Sequence, residues 1–325
     1  MEFFLDVIVP EYDCPQEYMI RLLNSINRQK NVDFNEIGVI IINDKSKVKY
    51  KRSWFKQRFP KLNISYIVKN SNEGQGLTRQ YGIDISKAEY ITFIDQDDEL
   101  FGDTCLSAAI GLLKERRKPF AISSIYEEVL FEGKMYFKEH SCFEFKSLHG
   151  LFINRNHLIA NNIRFHKDLR QFEDVYFNSC LFYSNVEFDY FNFFTYIWKF
   201  NFNSQVRKQS KYTFEVKNFK YYFLCTKYSI EYLKKCNSIV LTEFSFVSLY
   251  GCLLILKSKY YDFEELKNDR IYYLNELKKL YLEFVSDYQK LTDEERSNYK
   301  TNEYNVLSRS MPELNHVDID EFINS

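Results

Sequence analysis

Short apolar runs alternate with segments of helical periodicity through the first hundred residues, and this alternation constrains the fold more than any other feature. An apolar run that stops at turn-forming residues predicts a buried strand, whereas apolar residues spaced three and four apart predict a helix. The predicted strands are 5–10, 37–44, 64–68 and 90–94, and the predicted helices are 15–29, 53–58 and 76–85. Buried strands separated by helices indicate an α/β fold with a parallel sheet.

The polar residues that follow these strands indicate where a ligand would bind. In parallel α/β sheets, ligands bind beyond the carboxyl ends of the strands. Four stretches lie at that edge: Pro10-Glu11-Tyr12, Asn43-Asp44, Lys69-Asn70 and Asp95-Gln96-Asp97-Asp98. We therefore expect the binding site there.

Three carboxylates within four residues, Asp95, Asp97 and Asp98, follow an apolar strand. Carboxylates this close raise each other's pKa unless a cation lies between them. Mg2+ and Mn2+ prefer oxygen ligands and commonly bridge protein carboxylates to substrate phosphates. The cluster thus predicts a divalent-metal site, with a solvated turn that carries helix-capping Asp residues as the alternative.

The segment 72–82, which follows the third strand and opens a helix, contains Gly74 and Gly76. Glycine permits a positive φ and a close approach of the backbone, and a helix N-terminus offers free N–H groups to an anion. Arg79 is placed to contact a phosphate or to hold the Asp cluster. The segment lacks both the Gly-Lys-Ser/Thr of a P-loop and the spacing GxGxxG, so a plain loop is the alternative.

Beyond residue 118 the pattern becomes irregular and then helical. Strand-like stretches at 120–130 and 134–137 precede two further elements near 150–160 and 173–183. The chain is predicted to be helical after residue 210, where we expect a domain boundary. The apolar stretch 239–256 contains Glu243, which favours a buried helix because a carboxylate near mid-bilayer costs about 2.5 kcal/mol or more.

Charge and cysteine content narrow the class of protein. The net charge of −1 gives no global argument for nucleic-acid binding, although it is compatible with a local basic patch. The seven cysteines form no CxxC pair, which argues against a zinc site or a disulfide framework and favours a reducing compartment. No basic segment typical of a signal peptide opens the sequence. We expect a cytoplasmic protein, either free or peripheral at the inner face of the membrane.

Five motifs in this order resemble the family 2 glycosyltransferases, which have the GT-A fold, over residues 4–210. Val7–Tyr12 is similar to the family's opening strand, and Asn43-Asp44-Lys45-Ser46 is similar to its Asp-Asp-x-Ser, with Asn in the first place. Asn72-x-Gly74-x-x-x-x-Arg79 resembles its Asn-x-Gly-x-x-x-Ala-Arg-Asn segment, from which Thr78 and Gln80 depart. Asp95-Gln96-Asp97-Asp98 is similar to its DxD motif, and Phe172-Glu173-Asp174 is similar to its Glu-Asp pair.

The resemblance implies a Rossmann-like mixed sheet flanked by helices in residues 1–210, with a nucleotide-binding half (1–110) and an acceptor-binding half (111–210). A C-terminal helical region (211–325) would follow. The implied reaction is the inverting, metal-dependent transfer of a sugar from a nucleoside-diphosphate sugar, above all a UDP-sugar, to an acceptor hydroxyl. The implied cofactor is Mn2+ or Mg2+.

The resemblance also assigns roles to single residues. Tyr12 and Asp44 would hold the donor base, Asp95 would hold its ribose or sugar, and Asp97 would bind the metal together with Asp95. Asp174 would be the catalytic base beside Glu173, although an acidic pair at a helix start is the alternative. The other donor-binding candidates are Pro10, Asn72, Gly74, Arg79, Gln96, Ser204 and Arg207.

Weaker candidates for the acceptor site are His149, Gly150 and Trp198, and His149 is also a candidate for helping to bind the metal. A structural role for His149 and a core position for Trp198 are the alternatives. The stretches 196–198 and 203–208 are expected to belong to a mobile loop that closes over the diphosphate. Arg207 or Lys208 would neutralise phosphate there.

The acceptor and two alternative functions stay open. A cell-envelope polymer or surface glycan is the family's most common acceptor, and a modified DNA base, as in phage enzymes, is the second option. A nucleotidyltransferase and a non-catalytic sugar-nucleotide-binding module are retained as alternatives. The C-terminal helices are expected to pack together or to form an oligomer contact.

Overall fold

The computed structural model describes residues 2–143, 147–201, 218–258 and 264–308, together with 317, 319 and 322. The chain forms two compact units. The first comprises Met1–Asn178 and Val186–Asn201, and the second comprises Ser179–Asn185 and Phe202–Ser325. The expected domain boundary after residue 210 lies outside the described residues.

The first unit contains a sheet in which the first four strands are parallel. They are ordered β3-β2-β1-β4 and are β1 (Leu5–Glu11), β2 (Ile37–Asn43), β3 (Asn63–Val68) and β4 (Tyr90–Phe93). Every residue of β1 and β2 is buried, as expected for strands that are covered on both faces. Leu5 pairs with both Ile37 and Tyr90, so the three strands start level. The four predicted strands are confirmed, and the residues that follow them share one edge.

Three helices connect these strands at the predicted places: α1 (Gln16–Asn27), α2 (Arg52–Arg58) and α3 (Gln75–Ile85). A short 3-10 helix, Phe34–Glu36, precedes β2. The apolar stripe of α1 is buried, because its members recur at helical spacing: Met19, Leu22, Leu23 and Ile26. Helix α3 lies close to the sheet at Gly82, where an added Cβ would be 2.5 Å from Ile8 Cγ2 and 3.0 Å from Ile42 Cδ1.

The sheet continues with strands of mixed direction. β8 (Leu151–Asn154) is antiparallel to β4 and to β6 (Phe120–Phe131), and β9 (Asp189–Trp198) is parallel to β6. β5 (Glu99–Leu100) pairs with β9, and β7 (Lys134–His140) pairs with β6. The helices of this half are α4 (Cys105–Arg116), α5 (Arg155–Ala160) and α6 (Glu173–Phe182). The result is the mixed sheet flanked by helices that the GT-A resemblance implies.

Three elements of this half are absent from the prediction, namely β5, α4 and β9. The expectation of a mobile loop at 196–198 is wrong, because these residues complete β9. Tyr196 pairs with Ile125 and is buried, and Trp198 pairs with Glu127. The second stretch of the expected loop, 203–208 with Ser204 and Arg207, lies outside the described residues.

The second unit is helical, as predicted. Its helices are α7 (Phe219–Lys235), α8 (Leu241–Lys257), α9 (Glu264–Tyr288) and α10 (Asp293–Ser308). Helix α8 contacts the other three, and its residues Leu249 to Leu256 are all buried. The prediction of a buried helix at 239–256 is therefore confirmed. Among the described residues, no helix combines the length and the apolarity that a bilayer crossing requires.

The close approach of α3 to the sheet predicts that Gly82→Ala destabilises the fold, because its Cβ would overlap the side chains of Ile8 and Ile42. The expected loss in the free energy of unfolding is about 1–3 kcal/mol, measured by denaturant titration. Gly111→Ala in α4 is the matched control, since no heavy atom lies within 4 Å of its added Cβ. That variant should gain up to about 1 kcal/mol from helix propensity. Equal losses in both variants would contradict the assigned packing.

Candidate active site at the carboxyl edge of the sheet

The predicted site residues meet where β1, β2 and β4 end. Tyr12 follows β1, Asp44 follows β2, and the cluster Asp95–Asp98 follows β4. Pro10 instead lies inside β1, buried and paired with Ile42. The parallel alignment of the strands thus brings residues more than eighty positions apart to one edge.

Gln96 fixes the backbone of Tyr12. Its side-chain Oε1 accepts a hydrogen bond from Tyr12 N at 2.7 Å, and its Nε2 donates one to Tyr12 O at 3.1 Å. The Tyr12 side chain remains 50% exposed at the edge. Backbone fixation with an exposed ring suits a stacking surface for a flat ligand group.

A buried polar network at the end of β1 stabilises the turn that carries Tyr12. Glu11 accepts hydrogen bonds from Ser46 Oγ at 2.8 Å and from Asn43 Nδ2, and Asn43 also donates to Tyr66 Oη at 2.9 Å. Burial raises the pKa of Glu11. The sequence prediction gives Asn43 only as a departure from the family motif, whereas here it links β1, β2 and β3.

Asp44 organises the loop between β3 and α3. Its carboxylate accepts hydrogen bonds from Glu73 N at 3.0 Å and Gly74 N at 2.8 Å, and it forms an ion pair with Lys69 Nζ at 2.9 Å. Asn72 Nδ2 donates to Asp44 O at 3.2 Å. The carboxylate of Asp44 is thus occupied by the protein itself, which gives this residue a positioning role in the loop.

Gly74 begins helix α3 in a conformation that favours glycine. Its φ is +92°, and no heavy atom lies within 4 Å of an added Cβ. Glycine is therefore favoured at position 74 by the backbone conformation and not by packing.

Arg79 is the central cation of the site. Its buried guanidinium donates from Nη2 to Asp95 Oδ1 at 2.6 Å and lies 3.5 Å from Glu173 Oε1 through Nη1. Gln75 Nε2 donates to the same oxygen of Asp95 at 3.0 Å. Gly76 makes this arrangement possible, since an added Cβ would be 2.5 Å from Glu173 Cγ.

The two carboxylates that share Arg79 have opposite pKa shifts. Burial tends to raise the pKa of Asp95, but the charge of Arg79 and the contact with His149 outweigh burial and hold the pKa below its usual range. Burial and then the charge of Asp174 raise the pKa of Glu173 to about 7, against the effect of Arg79. Arg79 therefore keeps Asp95 ionised.

The other two carboxylates of the cluster have different partners. Asp97 Oδ2 accepts a hydrogen bond from Asn201 Nδ2 at 2.7 Å, and its carbonyl oxygen accepts one from Arg21. Asp98 is buried and accepts from Tyr196 Oη and from Lys199 N. Burial and then neighbouring carboxylate charge raise the pKa of both, and the pKa of Asp98 is well above its usual range.

His149 completes a group that is able to hold a metal ion. One ligand atom each from Asp95, Asp98 and His149 lie within 4.8 Å of one another. Of the two predicted ligands, Asp95 belongs to this group and Asp97 does not, whereas Asp98 is a further ligand that the sequence prediction does not name. Carboxylate oxygens with one imidazole nitrogen form a donor set that suits Mn2+.

The candidate acceptor residues stand beside this group. His149 stacks on Trp198 with ring centroids 5.3 Å apart and lies 4.7 Å from the ring of Tyr196. Gly150 has a φ of +75°, and an added Cβ would be 2.5 Å from Ser123 Oγ. The backbone conformation and the close packing at position 150 therefore both favour glycine, independently of any acceptor. Trp198 is only partly buried, so part of its side chain is accessible.

Glu173 and Asp174 differ in their surroundings, although they are adjacent at the start of α6. Glu173 is buried against Arg79, whereas Asp174 is exposed. The negative charge of Asp174 is felt by Arg79, which places it near the same centre. Of this pair, only Asp174 offers an accessible carboxylate.

The contacts of Asp44 predict that Asp44→Ala costs about 1–3 kcal/mol in the free energy of unfolding, because it leaves the backbone N–H groups of Glu73 and Gly74 without their acceptor. Chemical denaturation measures the loss. Asp103→Ala is the control, since it removes an exposed carboxylate that pairs with Lys30, and it should change stability far less. An Asp44 variant as stable as the Asp103 variant would contradict the positioning role.

The chain matches the model of glycosyl transferase family 2 over residues 6–175. It is 30% identical over 99 residues to the amylovoran biosynthesis glycosyltransferase AmsB of Erwinia amylovora, a match that covers 30% of this chain and 32% of that protein. The chain thus spans about a third of the length of this relative.

Solved structures with the same fold cover nearly the whole chain. The structure of S. aureus TarS 1-349 in complex with UDP-GlcNAc superposes with a TM-score of 0.61 at 17% identity, covering 98% of this chain and 94% of that chain. The mannosyltransferase PcManGT from Pyrobaculum calidifontis, in complex with GDP-Man and Mn2+, gives 0.51 at 11% identity, covering 96% and 87%. With more than half of its residues inside the family model, the chain belongs to glycosyl transferase family 2.

Proposed function

We propose that the protein transfers a sugar from a UDP-sugar to the hydroxyl of a cell-envelope or surface glycan, with inversion and with a divalent metal. The observation that carries this proposal is the carboxylate cluster Asp95–Asp98, which faces His149 and lies beside the exposed ring of Tyr12 at the carboxyl edge. A nucleoside diphosphate presents a flat base and a strongly anionic diphosphate, and this edge offers one partner for each.

The donor base is assigned to the ring of Tyr12, which Gln96 holds by its backbone. The choice of uracil is supported by the TarS structures, which were solved with UDP and with UDP-GlcNAc. Asp44 acts indirectly, because its carboxylate holds the loop at residues 72–74 instead of facing outward.

The metal is assigned to Asp97 and Asp95, with Asp98 and His149 as further ligands. The residues fit a divalent cation, because ligand atoms of Asp95, Asp98 and His149 lie within 4.8 Å of one another. Burial, and then the charge of neighbouring carboxylates, raises the pKa of Asp97 and Asp98, and a cation among them would relieve the repulsion between the carboxylates. When bound, Mn2+ or Mg2+ supplies a Lewis acid for the leaving diphosphate, worth several kcal/mol. The Mn2+ complex of PcManGT supports this assignment.

The catalytic base is assigned to Asp174, whose accessible carboxylate would take the proton from the acceptor hydroxyl as that oxygen attacks the anomeric carbon. General base catalysis typically contributes about 10^2–10^4-fold. Glu173 is assigned to positioning, since its side chain is buried against Arg79. A single base without a nucleophilic carboxylate implies inversion. The partly exposed Trp198, stacked on His149, is assigned to the acceptor sugar.

The family assignment does not support the two alternative functions, the nucleotidyltransferase and the non-catalytic module. A modified DNA base remains the alternative acceptor.

Melting curves with a panel of sugar nucleotides test the proposal. With Mn2+, a UDP-sugar at a hundred times its Kd should add about 2.7 kcal/mol of stability and release UDP slowly by hydrolysis. Asp97→Ala should lose the metal-dependent stabilisation. Asp174→Ala should keep this stabilisation and lose at least about 10^2-fold in UDP release. Asp103→Ala serves as the control and should behave as the unmodified protein does. Absence of stabilisation and of UDP release with every sugar nucleotide would refute the proposal.

A further inference from the structure

The segment from residue 45 to residue 72 is strongly basic in a chain that is otherwise balanced. It contains nine Lys or Arg residues and no Asp or Glu, although the whole chain has 44 basic and 45 acidic residues. The nine are Lys45, Lys47, Lys49, Lys51, Arg52, Lys56, Arg58, Lys61 and Lys69. So uneven a distribution concentrates positive potential on one surface.

Eight of these nine cations are exposed on the protein surface. Lys69 is the exception, because its ammonium pairs with Asp44 and Glu73. Within the part of the chain that the structure describes, none of the other eight forms an ion pair with a carboxylate. Some surface cations elsewhere on this unit are paired, as with Lys114 and Glu36 at 2.6 Å. Clustered, unpaired cations repel one another, so an anionic partner would stabilise them.

Part of this segment forms a concave surface, which we name the basic concavity. It has a volume of about 520 Å³ and is lined by Gln16, Val48, Lys49, Tyr50, Lys51, Ser53, Trp54, Gln57 and Arg58. No carboxylate lines it. The rings of Tyr50 and Trp54 lie 4.8 Å apart, and the guanidinium of Arg58 lies 4.8 Å above Trp54.

The basic concavity adjoins the carboxyl edge of the sheet, where the donor is proposed to bind. Lys47 N donates to Asp13 Oδ1 at 2.8 Å, and Asp13 N donates to Ser46 Oγ at 2.9 Å. The residues that lead into the concavity are thus hydrogen-bonded to the turn that carries Tyr12. A polymer whose end reaches the reaction centre would extend along a surface of this kind.

The lining matches one class of polymer best. Ammonium and guanidinium groups recognise carboxylate or phosphate, the amides of Gln16 and Gln57 hydrogen-bond hydroxyls, and the rings of Tyr50 and Trp54 offer flat apolar faces. A membrane surface fits less well, because the site is concave and Val48 is the single exposed large apolar side chain from residue 44 to residue 61.

We propose that the basic concavity binds an acidic saccharide chain, carrying carboxylate or phosphate groups, as the distal part of the acceptor. This proposal rests on the proposed function and narrows its acceptor to an anionic glycan. A single-stranded nucleic acid, which also uses cations and aromatic rings, is the competing ligand that the experiment must reject.

Fluorescence anisotropy with labelled polygalacturonate oligosaccharide tests the proposal. The charge-reversal variant Lys49→Glu/Lys51→Glu/Arg58→Glu should bind at least about tenfold more weakly than the unmodified protein, and added salt should weaken binding further. Neutral dextran oligosaccharide of equal length should not bind. The matched control is Lys134→Glu/Lys138→Glu/Lys167→Glu, which reverses the same number of exposed cations of the first unit outside the lining of the concavity and should bind normally.

Several outcomes would overturn the proposal. These are equal binding by the two triple variants, absence of polygalacturonate binding, or preferential binding of a 20-nucleotide single-stranded DNA or of phosphatidylglycerol vesicles. Melting curves with UDP-sugar and Mn2+ distinguish a failure of this proposal from a failure of the proposed function. The concavity variant should retain full donor stabilisation, so loss of oligosaccharide binding alone would concern the acceptor and not the donor site.

Discussion

The buried guanidinium of Arg79 is the interaction on which the site depends. It joins Asp95, at the end of β4, to Glu173, at the start of α6, and it extends from α3. Three elements, of which α6 is distant in sequence from the other two, are thereby fixed around one cation. Removal of a partner from such a buried pair costs about 3–5 kcal/mol, so the geometry of the edge is coupled to the stability of the unit. Gly76 is part of the same contact, since a side chain there would displace Glu173.

A second buried ion pair sets the loop that precedes α3. Asp44 binds Lys69 and two backbone N–H groups, which holds residues 72–74 in place. The Glu11 network fixes the neighbouring turn, and Gln96 fixes Tyr12 above it. The protein therefore satisfies the inner carboxylates with its own groups and leaves Tyr12 and Asp174 exposed to ligands. Such preorganisation is what a site needs to stabilise developing charge without rearrangement.

Periodicity and residue type predict the first four strands and the helices between them, because these depend on local pattern. Metal binding by Asp95–Asp98 stays a prediction. Other features depend on contacts across the sheet. β5 has only two residues, and β9 is recognisable as a strand through its pairing with β5 and β6. His149 joins Asp95 and Asp98 because β8 lies beside β4. Asn43 and Glu11 gain their roles through neighbouring strands in the same way. For Asp44, the sequence predicts a residue at the edge, but not that its carboxylate turns inward.

The central claim is that the carboxyl edge binds a nucleoside-diphosphate sugar through a divalent ion held by the cluster Asp95–Asp98. Crystals grown with Mn2+ and a UDP-sugar, measured near the manganese absorption edge, test this claim most directly. An anomalous peak about 2.1 Å from a carboxylate oxygen of Asp97 or Asp95, with the uracil against Tyr12, is the predicted result. A donor bound elsewhere, or a manganese peak remote from these carboxylates, would contradict the account.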